Sequence, residues 1–64
     1  MKTTFFAAFE SDGQFGFEVF RFDRSGQHKA VIYRSEPVYV SAGDAEDEAV
    51  EYCNAAGLDA EKRT

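Results

Sequence analysis

An α+β fold is the architecture this sequence predicts: an antiparallel β-meander of three to four strands with one C-terminal acidic amphipathic helix packed on one face. Three observations predict it. Two aromatic, β-forming runs flank Asp12-Gly13, a dipeptide that favours tight hairpins. Ser25-Gly26 separates the second run from a third, Lys29 to Arg34. The one stretch with helical periodicity comes last, at about 44–56.

Strand one is read at 3–10, strand two at 15–23 and strand three at 29–34. Pro37 breaks the run because it lacks a ladder donor, so Val38-Tyr39-Val40 is a short edge strand or an extended lead into the helix. Pairing around Asp12-Gly13 places Phe5 near Phe20 and Phe6 near Val19; the second turn places Val19 near Ile32 and Phe20 near Val31. One face then shows Phe6, Ala8, Phe15, Phe17, Val19, Ala30 and Ile32. The other shows Phe5, Ala7, Phe9, Phe20, Phe22, Val31 and Tyr33. A single helix covers only one of them. The second aromatic face is therefore a dimer or partner interface, the product of a shifted register, or the sign of a bulge near Val19-Phe20 that swings Phe20 and Phe22 to the helix side.

Asp44 is the expected N-cap, with Asp47 three positions on, and Glu46, Asp47 and Glu48 fall in the first turn. Gly57 is the expected left-handed stop, with Leu58 folding back. Ala45, Ala49, Tyr52, Cys53 and Ala56 share the inner face. Asp44, Asp47, Glu48 and Glu51 share the outer one, where four like-charge pairs at three- or four-residue spacing each cost roughly 0.2–0.5 kcal/mol. Residues 1–58 make one domain and 59–64 a polar, fraying tail.

The net charge of −5 is unevenly spread. Residues 1–34 carry five basic and four acidic side chains, whereas 35–61 carry eight acidic and no basic ones. Such asymmetry bears on partners rather than on fold. The lone cysteine fits a reducing compartment, and no run approaches a membrane span or a signal peptide, so a soluble cytoplasmic protein is expected.

Catalytic and metal chemistry find no pattern here. His28 is the only histidine, the serines lie in turns, and the helix acids lack the loop spacing of a calcium site. No enzyme, cofactor or metal is therefore expected. Arg21, Arg24, Lys29 and Arg34, interleaved with Phe20, Phe22 and Tyr33, form a stripe suited to stacking on single-stranded bases, but Glu18 and Asp23 dilute it to a mixed solvated surface.

SDGQFGF at 11–17, then Ser25-Gly26, Val31-Ile32, Ser35-Glu36, Tyr39, Ser41 and the alanine-rich helix resemble the YegP-like domain, a small bacterial module. That resemblance spans roughly 4–54 and implies three strands and a helix, often tandem or dimeric, with no established chemistry. The arms from Phe17 to Gly26 and from Gly26 to Ser35 are longer than the family pattern, and the helix is far more acidic. Gly43-Asp44-Ala45 opening an acidic helix also resembles antitoxin-type ββα modules. In size and acidity the chain is similar in kind to phage-encoded anti-CRISPR proteins, which would place it in a host cytoplasm.

The expected function is a non-enzymatic, protein-binding inhibitor. Asp44, Glu46, Asp47, Glu48, Glu51 and Glu36 would present a DNA-mimic-like surface to a basic, nucleic-acid-binding protein, without direct contact to nucleic acid or membrane. The alternatives are a structural module that homodimerises through the aromatic sheet face, and an antitoxin-like partner of a small toxin.

Overall fold

A computed structural model describes residues 4–63. Asp12 and Gly13 both adopt positive φ, 52° and 81°, the pair of left-handed residues that a type I′ hairpin needs. That turn joins β1 (Thr4–Ser11) to β2 (Gln14–Phe22). The register pairs Phe5 with Phe20 and Phe6 with Val19, as the turn dictates.

A six-residue connection leads to β3 (Lys29–Arg34). Asp23 organises it. Its carboxylate accepts from the Ser25 hydroxyl at 2.7 Å and lies 2.6 Å from the His28 Nδ1, while its carbonyl accepts from the Gly26 amide at 3.0 Å. The Ser25 hydroxyl first, then His28, hold the Asp23 carboxyl at about 2, below its ordinary 3.8. A depressed carboxylate stabilises the fold above its unfolded value and loses that contribution as pH falls through the folded one. The stability advantage of the native chain over Asp23→Asn should thus be full above pH 3.8 and fade towards pH 2. Urea midpoints of the two proteins across that range measure it; a constant difference would contradict it.

Between β2 and β3 the ladder is interrupted. Phe20 pairs with Val31, as expected, but Val19 pairs with Tyr33, so Ile32 is an extra residue on β3. The sequence reading placed Ile32 opposite Val19; a β-bulge puts Tyr33 there instead. Because side chains alternate with a period of two, one inserted residue exchanges the faces of everything beyond it. Tyr33 moves to the helix side, where its ring stacks on Tyr52 at 4.5 Å and 16° and lies 5.6 Å from Phe17. Arg34 joins Lys29 on the opposite side, and both bind Glu18, at 2.9 and 2.6 Å. Phe20 and Phe22 stay on the far face beside Phe5, with ring centroids 6.1 and 5.9 Å from it. The bulge thus redirects β3 and leaves the phenylalanines of β2 where they were.

After β3, Ser35 locks the exit. Its amide donates to the Phe17 carbonyl at 2.9 Å and its hydroxyl accepts from the Phe17 amide at 2.8 Å. Tyr39 then bridges Phe15 through two backbone bonds of 2.8 and 2.9 Å, a single antiparallel contact rather than a strand. Helix α1 (Ala42–Ala56) follows, capped by Ser41 and not by Asp44. Ser41 is extended and its hydroxyl accepts from the Asp44 amide at 3.1 Å, so the helix begins two residues earlier than expected. Gly57, at φ 71°, ends it as expected, and the Leu58 amide closes onto the Cys53 carbonyl at 2.8 Å.

Residues 61–62, read from the sequence as tail, form β4 (Glu61–Lys62), parallel to β1. The Arg63 amide extends the pairing to the Phe6 carbonyl at 2.8 Å. The sheet order is β3-β2-β1-β4, with α1 packed across β1 and β2. Val19, Ala45 and Ala49 are fully buried, and Phe6, Phe17 and Cys53 nearly so. Two alanines at the contact let the helix axis approach the sheet closely. Among the described residues no helix is long and apolar enough to cross a membrane.

Candidate functional surfaces

The position of the N-cap decides how well the helix tolerates its acids. With Ser41 as cap, only Asp44 falls in the first turn, where the dipole favours negative charge. Glu46, Asp47 and Glu48 lie beyond it, contrary to the sequence reading, and receive little of that help. Asp44, Asp47, Glu48 and Glu51 are all exposed, and among the described residues none has an ion-pair partner. Glu46 differs: it is half-buried, and Lys62 of β4 approaches it at 3.3 Å. Glu36 is exposed in the segment before α1. The site residues expected from the sequence thus divide into four unpaired acids along the helix, one neutralised neighbour and one acid off the helix.

Tyr39 lies beside this surface. Loss of water around its half-buried ring, with the negative charge of Glu48 adding to it, pushes its phenol above the ordinary value. Tyr52 and Tyr33 continue the aromatic margin. On the inner face Cys53 is buried, and desolvation raises its thiol, which disfavours the thiolate a nucleophile requires. His28 belongs to the Asp23 turn. Among the described residues no group of three or more His, Cys, Asp or Glu side chains could hold a metal ion.

The stripe read from the second hairpin is split by the structure. Arg21 Nε reaches the Thr4 hydroxyl at 3.5 Å, and Tyr33 turns to the helix side. Lys29 and Arg34 instead lie over phenylalanine rings on the far face: Lys29 Nζ 4.4 Å from the Phe20 centroid, and Arg34 Cζ 3.9 Å from that of Phe9. Gly16 leaves room for Phe9 there, since a Cβ at that position would meet the ring at 2.5 Å. Arg63, overlooked in the sequence, covers Phe5 and Phe22 at 5.2 and 5.0 Å. The available signal was Lys29 and Arg34 five residues apart, a spacing that only a bulge can bring to one face.

Comparison with protein-family models, curated proteins and solved structures finds no match to this chain.

Proposed function

We propose that this chain is a small non-enzymatic inhibitor that presents the outer face of α1 to the basic surface of a nucleic-acid-binding protein. The supporting observation is the row Asp44, Asp47, Glu48 and Glu51, exposed and without an ion-pair partner among the described residues. Seven residues at ~1.5 Å rise spread these charges over about 10 Å. That is one charge per ~3.5 Å, close to the ~3.4 Å spacing along one DNA strand. A groove lined to receive phosphates could accept such a row, with the tyrosine margin beside it. Association of this kind is steered by charge and weakens with salt.

The experiment is affinity capture from a cell lysate on immobilised protein, washed at stepped salt, with Asp47→Lys/Glu51→Lys on a parallel support. Nucleic-acid-binding proteins should be retained by the native chain, released as salt rises, and lost from the variant. Retention of the same proteins by both supports would exclude this mechanism.

A further inference from the structure

The face of the sheet opposite α1 has the reverse chemistry of the helix. Lys29 and Arg34 lie there at the β3 edge and Arg63 at the β4 edge, above a phenylalanine floor, against the carboxylates of Glu18 and of Glu61, which pairs with Phe5 and shares its face. A protein with a net charge of −5 thus carries one locally cationic face. Its rim is β3, an edge strand paired only with β2 among the described residues and exposed along its whole length, with Val31 52 % exposed.

We infer that this face is a docking surface for an acidic, extended protein segment, independent of the role of the helix. Charge complementarity selects the occupant. Arg34 meets Glu18 through one Nη and keeps further donors free. A guanidinium presents donors in a fork that fits carboxylates. A segment laid along β3 can pair its backbone with the free edge while alternate carboxylates reach Lys29 and Arg34 on one face. Single-stranded nucleic acid suits the face less well. Bases need bare rings to stack on, and here Phe20 is buried while Lys29, Arg34 and Arg63 overlie the rings. A second copy paired by two-fold symmetry would bring the same cations face to face.

Chemical-shift mapping of the ¹⁵N-labelled protein tests this. The probes are a peptide alternating Glu with Val and Thr, its Gln-for-Glu counterpart, and oligothymidylate. The acidic peptide should shift the amides of Lys29, Val31 and Arg34 and leave α1 and Arg63 unchanged; the Gln peptide should shift none of them. Arg34→Gln leaves the backbone of β3 unchanged, and its own spectrum verifies folding; it should weaken binding about fivefold, the upper range for one exposed ion pair. No shifts, or shifts confined to α1, would overturn the inference. Stronger shifts with oligothymidylate would assign the face to nucleic acid instead. Shifts that grow with protein concentration alone would assign it to a second copy.

Discussion

Phe17→Ala is expected to leave most of the chain unfolded at room temperature. Phe17 is 4 % exposed and lies within 5.6 to 6.3 Å, centroid to centroid, of Tyr33, Tyr39 and Tyr52. It joins β2, the bulged end of β3, the bridge before the helix and the helix itself. Truncating a buried phenylalanine costs about 3–5 kcal/mol, and a core of this size rarely supplies more than that in total. Far-UV circular dichroism against urea would show a baseline already in the transition. A cooperative melt close to that of the native chain would mean that the four elements are held together elsewhere.

Deleting Ile32 should, by contrast, leave the fold intact, since this residue is 40 % exposed, outside the core and the extra residue of the bulge. Without it the β2–β3 ladder runs unbroken: Val31 stays opposite Phe20, Tyr33 opposite Val19 and Arg34 opposite Glu18, so no side chain changes face. Tyr33 keeps Tyr52, and Lys29 and Arg34 keep Glu18. Ile32→Val, which keeps the residue count, should stay within about 0.5 kcal/mol of the native chain. A urea midpoint for the deletion far below that of the native protein would show that the bulge does more than reset the two faces.

These two positions show where the sequence was legible and where it was not. The first hairpin could be read because Asp12-Gly13 permits one turn geometry, and that turn sets the register as far as Phe5 and Phe20. The end of α1 was readable for the same reason: Gly57 adopts a conformation that other residues resist. The start was not, because Ser41 and Asp44 are both good caps and the choice depends on the bridge between Tyr39 and Phe15. Local propensity could not reveal β4 either, since Glu61 and Lys62 are poor strand formers held by the open edge of β1. As for the candidate surface, the four outer acids of α1 were legible from helical spacing. The pairing of Glu46 with Lys62 was not, because it depends on β4.

The acids of α1 have a thermodynamic signature that separates a face kept for binding from one satisfied by its own fold. If Asp47 and Glu48 repel Glu51 without compensation, reversing Glu51 should relieve two repulsions and create two attractions, each about 0.2–0.5 kcal/mol. The most direct measurement is the thermal midpoint of Glu51→Lys against the native chain at low salt. The expected result is a gain of about 1 kcal/mol, a rise of roughly 4–8 °C for a domain of this size, that shrinks as salt is added. An unchanged or lowered midpoint would show that the carboxylate row is already compensated within the molecule and has no need of a positively charged partner.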